Sequence, residues 1–189
     1  MPRPDRSRDG AAAPSHVAAV ADVSAAAAAL VHRLTDRGLT IATAESLTGG
    51  QLAAAIVDVP GASVVFNGGV VAYATPVKHS VLGVDAGLLE ERGAVDPDVA
   101  EQMADHVRRV CAVDGRPADV GLATTGVAGP DPQDGRPPGT VYVAVASAGG
   151  IRSVALDLAG DRPAVRRAAV AAAIEEALAE LAGPIDPVE

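Results

Sequence analysis

The sequence is poor in residues on which several classes of protein depend. It contains one cysteine, one phenylalanine, two tyrosines and no tryptophan in 189 residues. Cys111 has no second cysteine to pair with, so the chain has no disulfide framework and is compatible with a reducing compartment. We therefore expect a cytoplasmic protein whose core is built from small aliphatic side chains, mostly Ala and Val.

Positive charge is also scarce. The chain has 24 Asp and Glu against 15 Lys and Arg, a formal net charge of −9. This charge repels a phosphate backbone, and no stripe of basic residues interleaved with aromatics offsets it, so we expect no nucleic-acid partner. The apolar stretches fall short of the ~20 residues that a spanning helix needs, so we expect no membrane segment.

Several familiar motifs are missing as well. The sequence has no Walker A motif, no GxGxxG after a strand pattern, no GxSxG elbow and no CxxC. These absences argue against a P-loop ATPase, a Rossmann dehydrogenase and an α/β-hydrolase. The histidines lack a metal-ligand spacing such as HExxH, so we expect neither a metal nor another cofactor.

Helical and strand patterns alternate along the chain. Apolar residues recur at helical spacing over 17–37, and Gly38 follows as a C-terminal cap. Buried-strand patterns follow at three places, each flanked by helical patterns or Gly- and Pro-rich loops. The predicted strands cover 39–45, 66–75 and 118–126, the predicted antiparallel hairpin covers 140–158, and the predicted later helices cover 48–59, 76–84, 86–92, 97–111 and 161–181.

This order of elements predicts the fold class. Strands that alternate with helices form parallel sheets covered on both faces, and a terminal hairpin adds antiparallel strands. We predict an α/β protein, a three-layer α/β/α sandwich with a mixed, mostly parallel sheet ending in an antiparallel hairpin. Residues 1–16 are expected to be a disordered tail, and 17–183 a single domain.

The first predicted strand runs directly into the segment TAESLTGG, which contains Ser46, Thr48, Gly49 and Gly50. In open α/β sheets, ligands bind beyond the carboxyl ends of strands, and free amides at the start of the next helix favour negative charge. We expect this join to bind an oxyanion or a phosphate. The residues alone leave an equal alternative, in which Ser46 or Thr48 only caps the helix and the glycines only turn the chain.

Lys78 is the only lysine of the chain, against fourteen arginines. Arg does not lose its proton in a protein, whereas a desolvated Lys becomes neutral and works as a base. Tyr73 lies five residues earlier, at the end of the second predicted strand, where its hydroxyl could bond a neighbouring Lys or Ser. The alternatives are a surface position for Lys78 and a core position with a solvated hydroxyl for Tyr73.

The third predicted strand ends in TTGVAGPD, where Thr125 and Gly126 are the natural ligand contacts. Arg162 opens the last predicted helix and could hold an anion near the same edge of the sheet. The alternatives here are a mobile surface loop and an arginine that is solvated or paired with Asp161. Three strand ends with compatible chemistry favour a shared site.

Together these segments resemble the C-terminal domain of the competence and damage-inducible protein CinA, a family whose stand-alone members include nicotinamide mononucleotide deamidases. TAESLTGG, GGVVAYATPVK, TTGVAGP and GTVYVAVA occur in the family's order between about Thr40 and Leu181. Leu47 stands where the family usually has Cys. The 39 residues ahead of Thr40 are too few for the domain that precedes this one in larger CinA proteins, so we expect the stand-alone form.

The resemblance implies a metal-independent amidohydrolase that converts nicotinamide mononucleotide to nicotinic acid mononucleotide and ammonia. Position by position, it implies catalytic roles for Ser46, Lys78 and Tyr73, and substrate contacts for Thr125 and Arg162. Ser46 would attack the amide carbon, and Lys78 with Tyr73 would move its proton. Arg166 and Arg167 lie close to Arg162 and stay open as alternatives for the phosphate. The full set of expected substrate contacts is Glu45, Thr48, Gly49, Gly50, Thr125, Gly126 and Arg162.

We also expect an oxyanion site in the serine turn, a homo-oligomer, and one alternative function. Backbone amides from Thr48 to Gly50 would bind the developing oxyanion. The chain would form a homo-oligomer, with a dimer favoured, around a small-molecule substrate. The alternative function, from a different class, is a non-catalytic nucleotide-binding module linked to competence or to a DNA-damage response.

Overall fold

The structure, a computed structural model, describes residues 23–183, and these form six α-helices and five β-strands. The helices are α1 (Val23–Arg37), α2 (Gln51–Val57), α3 (Thr75–Ser80), α4 (Ala86–Arg92), α5 (Pro97–Val110) and α6 (Arg162–Glu180). The strands are β1 (Ile41–Glu45), β2 (Phe66–Val71), β3 (Val120–Gly126), β4 (Thr140–Ser147) and β5 (Gly150–Asp157). A short 3₁₀ turn at Ala62–Val64 precedes β2.

The five strands form one mixed sheet in the order β2, β1, β3, β4, β5. β1 pairs in parallel with β2 and β3, while β4 pairs antiparallel with β3 and β5. The predicted mixed sheet with a terminal hairpin is therefore confirmed. Glu45, at the end of β1, lies opposite Val71 on one side and Thr124 on the other, so three parallel strands end together at one edge.

Helices cover both faces of this sheet, as the three-layer prediction requires. One apolar cluster packs α1, α2 and α6 against the sheet around Leu30, Leu52 and Ile174. A second cluster, which includes Met103 of α5, packs α5 and the α3–α4 region on the opposite face. Small residues allow close layers: a Cβ on Gly121 would overlap the carbonyl oxygen of Ala104.

Local sequence signals account for the starts of the later helices, where Asp residues cap α4, α5 and α6. Asp96 caps α5 by accepting from the Asp98 amide, and Pro97 follows at the first helical position. Several ends differ from the sequence-based bounds, and two of them flank predicted site residues. α2 begins at Gln51 because Gly49 and Gly50 have positive φ angles, and β2 ends at Val71, two residues before Tyr73.

Some expectations concern residues that the structure does not describe. The predicted tail at 1–16 and the predicted first turns of the opening helix at 17–22 lie outside the described residues. Within 23–183, no helix is both long enough and apolar enough to cross a membrane.

Candidate active site

The shared edge of the parallel strands brings distant parts of the chain together. Ser46 follows β1 directly, and its amide donates to the carbonyl of Thr124 on β3 at 3.0 Å. The chain leaving β2 enters α3 within a few residues, and this short helix carries Lys78. The edge of the sheet therefore places a hydroxyl and an amine from different elements in one small region.

Ser46 and Lys78 are in direct contact. The Lys78 Nζ donates to the Ser46 Oγ at 2.9 Å and to the carbonyl oxygen of Ala72 at 2.8 Å. Lys78 is 1% exposed and Ser46 is 8% exposed. The predicted surface alternative for Lys78 is therefore wrong, and the lysine instead extends through the interior to the serine.

Burial changes the acid–base chemistry of this lysine. No carboxylate of the described residues lies within 4.0 Å of the Nζ, so the ammonium form has no ion-pair partner. Desolvation lowers the pKa of Lys78 from 10.5 to about 8, although the negative charge of Asp134 opposes this shift. With such a pKa, roughly a tenth of the lysine is neutral at pH 7.

Glu45, an expected substrate contact, bonds the backbone at the start of α2. Its buried carboxylate accepts hydrogen bonds from the amides of Gly50, Leu52 and Ala53 at 2.8 to 3.0 Å. Both carboxylate oxygens therefore serve the start of α2, where a negative charge is favourable. Glu45 therefore stabilises the turn that carries Ser46, and a direct contact between Glu45 and a substrate stays a prediction.

Two of the amides expected to bind an oxyanion, those of Gly49 and Gly50, already have acceptors within the protein. The Gly49 amide donates to the Ser46 carbonyl at 3.1 Å, and the Gly50 amide donates to Glu45. Both amides are thus engaged within the protein. The amides of Leu47 and Thr48 have no hydrogen-bond acceptor among residues 23–183, so the free donors lie directly after the serine.

The side chains of Thr124 and Arg166 bond the turn that follows Ser46. The Thr48 hydroxyl lies 2.8 Å from the Thr124 hydroxyl on β3, and both threonines are buried. Arg166 of α6 donates from Nε to the Leu47 carbonyl at 2.9 Å and from a terminal nitrogen to the Thr48 carbonyl at 2.7 Å. Arg166, one of the alternatives for phosphate binding, is therefore committed to the backbone of the turn.

Tyr73 and Arg162 form a second pair at the surface. Arg162 donates to the Tyr73 hydroxyl at 2.7 Å and to the Gly129 carbonyl at 2.9 Å. Tyr73 is 59% exposed, so the alternative of a core aromatic is wrong. Its hydroxyl bonds Arg162 and not Lys78, so the structure does not bring together the expected Tyr73–Lys78 contact. Arg162 bridges the chain leaving β2 and the loop after β3.

Thr125 and Gly126 are the last two residues of β3. The buried Thr125 hydroxyl donates to the Ala94 carbonyl at 2.6 Å. A Cβ on Gly126 would lie 2.6 Å from the Thr140 carbonyl oxygen, so this glycine permits the close approach of β4. Asp134 accepts from the Ala94 amide at 3.2 Å and ties the loop after β3 to the same point.

Sequence reasoning missed two residues of this region. Thr124 bonds the serine turn through both its carbonyl and its hydroxyl. The sequence contained a signal for this role, because adjacent residues of a strand face opposite sides of a sheet, so Thr124 and Thr125 cannot both point to the same face. Asp134 acts on Lys78 through its charge from a Gly- and Pro-rich loop. That loop has no periodic pattern from which its position could have been inferred.

The fold and the site define an α/β/α protein with a buried serine–lysine pair at the carboxyl edge of its parallel strands. The family model of the CinA C-terminal domain matches residues 23–181. The chain belongs to this family.

Individual relatives agree with this assignment. A CinA-like protein of Frankia casuarinae is 49% identical over 150 residues, which cover 79% of this chain and 34% of the relative. The chain spans about a third of the length of the curated relatives it matches. A CinA superfamily protein of Klebsiella pneumoniae has a similar structure, with a TM-score of 0.80 and 31% identity, covering 85% of this chain and 98% of that one. A competence/damage inducible protein of Agrobacterium tumefaciens gives 0.78 and 32%, with coverages of 86% and 96%.

Proposed function

We propose that this protein hydrolyses the carboxamide of nicotinamide mononucleotide to give nicotinic acid mononucleotide and ammonia, a step of pyridine nucleotide salvage. The observation that carries the proposal is the buried contact of 2.9 Å between the Ser46 hydroxyl and the Lys78 amine. A weak nucleophile needs an adjacent base, and a lysine with a pKa of about 8 supplies one near neutral pH. Membership of the CinA C-terminal domain family supports the same reaction class.

The proposed reaction begins with neutral Lys78. Its lone pair accepts the Ser46 proton while the Oγ attacks the amide carbon, and the carbonyl oxygen becomes an oxyanion. The free amides after the serine, above all that of Thr48, donate to this oxyanion. Protonated Lys78 then supplies a proton to the leaving nitrogen, which departs as ammonia. Water, deprotonated by Lys78, hydrolyses the acyl-serine and regenerates both side chains.

The exposed pair of Tyr73 and Arg162 supplies the proposed contact for the phosphate of the substrate. Arg162 is a permanent cation at the surface, and its fork matches the oxygens of a phosphate. The Tyr73 hydroxyl and the Gly129 carbonyl hold this fork in place. A local cation of this kind offsets the repulsion between an acidic protein and an anionic substrate. Thr125 and Gly126 remain proposed contacts on the β3 side.

Ammonia release by the purified chain tests the proposal. Nicotinamide mononucleotide, nicotinamide and NAD would be compared as substrates for the wild type, for Ser46→Ala and for Ser63→Ala, an exposed serine outside the site that serves as the matched control. We expect release from the mononucleotide by the wild type and by Ser63→Ala, and very little by Ser46→Ala. A folded wild type that binds the mononucleotide without releasing ammonia would instead favour the nucleotide-binding module.

A further inference from the structure

We infer that Arg166 is a positioning residue, which aims the free amide of Thr48 at the oxyanion formed when Ser46 attacks. The inference deepens the proposed function and rests on it in one respect, namely that Ser46 is the nucleophile. It assigns Arg166 to the backbone of the serine turn and leaves the substrate phosphate to Arg162.

The geometry of the peptide unit carries the first step. In a planar trans peptide, the carbonyl and the N–H that follows it point in opposite directions. The Nε of Arg166 holds the Leu47 carbonyl at 2.9 Å, so it also fixes the direction of the Thr48 N–H in the same peptide. That N–H has no acceptor among residues 23–183, and a free donor without such support could rotate away.

A second contact of Arg166 fixes the orientation of the next peptide unit. A terminal nitrogen of Arg166 holds the Thr48 carbonyl at 2.7 Å, so consecutive peptide units are fixed by one planar group. The Thr48 hydroxyl is fixed from the other side by Thr124 at 2.8 Å. Lysine could not reproduce this arrangement, because its single ammonium lacks the fork that matches two acceptors.

The helix that carries Arg166 is itself rigidly placed. Val165 and Ala169 of α6 are fully buried in the apolar cluster on that face of the sheet. The guanidinium also leaves little space beside the turn, because a Cβ on Gly49 would lie 3.4 Å from its terminal nitrogen. Packing of α6 therefore sets the position of Arg166, and Arg166 in turn sets the direction of the Thr48 amide. Arg166 does this without contacting the reacting atoms.

The test uses a reagent whose reaction needs the same geometry but not the natural substrate. In a fluorophosphonate, the Ser46 oxygen forms a bond to phosphorus, fluoride leaves, Lys78 accepts the serine proton, and negative charge develops on the phosphoryl oxygen. The rate of labelling, followed by intact mass, would be measured for the wild type, Ser46→Ala, Arg166→Gln and Arg166→Lys. Arg108→Gln is the matched control, because Arg108 also donates from Nε to a backbone carbonyl, that of Ala118, at 2.9 Å.

Removing one oxyanion donor typically costs 10²- to 10³-fold, so a misdirected donor in Arg166→Gln should slow labelling about 10- to 100-fold. We expect Arg166→Lys to fall between the wild type and Arg166→Gln, and Arg108→Gln to label at the wild-type rate even if its melting temperature drops. In ammonia release, Arg166→Lys should lose kcat while KM and the pH midpoint stay unchanged. If Arg166→Gln does not fold, the labelling rate of Arg166→Lys decides the question.

Three outcomes would overturn the inference: wild-type labelling rates in both Arg166 variants, an equal loss in Arg108→Gln, or no labelling of Ser46 in the folded wild type. A wild type that labels at Ser46 but releases no ammonia from nicotinamide mononucleotide would defeat the proposed function alone. The positioning role of Arg166 would then stand on the labelling rates.

Discussion

Two pairs of polar side chains occupy the same edge of the sheet, and water reaches them very differently. Ser46 and Lys78 are 8% and 1% exposed, and their contact lies in the interior. Tyr73 is 59% exposed, and its contact with Arg162 lies at the surface. Removing a lysine from water makes its neutral form accessible, whereas an exposed arginine stays charged and meets anions from solution. In the proposed function, the buried pair carries the chemistry and the exposed pair captures the substrate.

Breaking the buried pair should have the largest effect. Lys78→Arg keeps the positive charge and the approximate reach but cannot deprotonate, and general-base contributions are about 10²- to 10⁴-fold. We expect the turnover number for nicotinamide mononucleotide to fall by at least about 100-fold. Ser46→Ala should be as damaging, and the double variant little worse than either single one, because the two residues act as one unit.

Thermal unfolding curves are the control for these variants, since a misfolded protein would also be inactive. If folded Lys78→Arg retained most of its turnover, Lys78 would be an electrostatic contact only. The serine proton would then have to pass to water.

Breaking the exposed pair should have a smaller and more selective effect. Hydrogen bonds to charged groups contribute about 1.5 to 3 kcal/mol, so Arg162→Ala should lower kcat/KM for the mononucleotide about 10- to 100-fold. The phosphate-free riboside should be used nearly as well as by the wild type. Arg33→Ala, an exposed arginine that also donates to a backbone carbonyl, is the matched control. Equal losses on both substrates would remove Arg162 from the phosphate site.

The burial of Lys78 should also have a cost that depends on pH. Its folded pKa of about 8 lies below the ordinary lysine pKa of 10.5, so the unfolded chain binds the proton more tightly. The contribution of Lys78 to the free energy of unfolding therefore increases as pH rises from 8 to 10.5, and is lost as pH falls back through 8. Relative to Lys78→Met, the wild type should gain roughly 2 kcal/mol between pH 7 and pH 10.

Chemical denaturation of the two proteins at several pH values measures this difference. The wild type and Lys78→Met differ in one titratable group, the only lysine of the chain, so their difference reports the titration of Lys78. A difference that stays constant over this pH range would mean that Lys78 titrates alike in the folded and unfolded states.

The smallest expected effect comes from a charge outside both pairs. Asp134 raises the pKa of Lys78, so Asp134→Asn should lower that pKa and move the rising limb of the pH–rate profile to lower pH. Asparagine keeps an acceptor for the Ala94 amide. Asp131→Asn, in the same loop, is the control and should leave the midpoint in place. A shift to higher pH in Asp134→Asn would contradict the electrostatic account.

The sequence was sufficient for the architecture, and it singled out Ser46 and Lys78 without deciding that they are buried together. Alternating patterns predicted the layers and the mixed sheet, and the isolated lysine in an arginine-rich chain pointed to Lys78. The shared edge follows from parallel strands, because their carboxyl ends lie together and Ser46 follows one of them directly. These features depend on periodicity and on chain order, which a sequence displays.

The partners of individual polar groups could not be predicted in the same way. Glu45 lies beside the serine in sequence, yet its carboxylate accepts from three amides at the start of α2. Arg162 and Arg166 differ by one helical turn, and only packing of α6 decides which of them reaches the serine turn and which reaches Tyr73. The oligomeric state, the cytoplasmic location and the domain boundaries stay predictions.

The acid–base state of Lys78 is the central claim, and the single lysine makes it directly measurable. Protein labelled with ¹³C at the lysine ε carbon should give one lysine side-chain NMR signal, which can be followed from pH 6 to pH 11 in the wild type and in Ser46→Ala. We predict that the wild-type signal titrates with a midpoint near 8, the lowered pKa of a buried amine. A midpoint near 10.5, the value of a solvated lysine, would contradict the account.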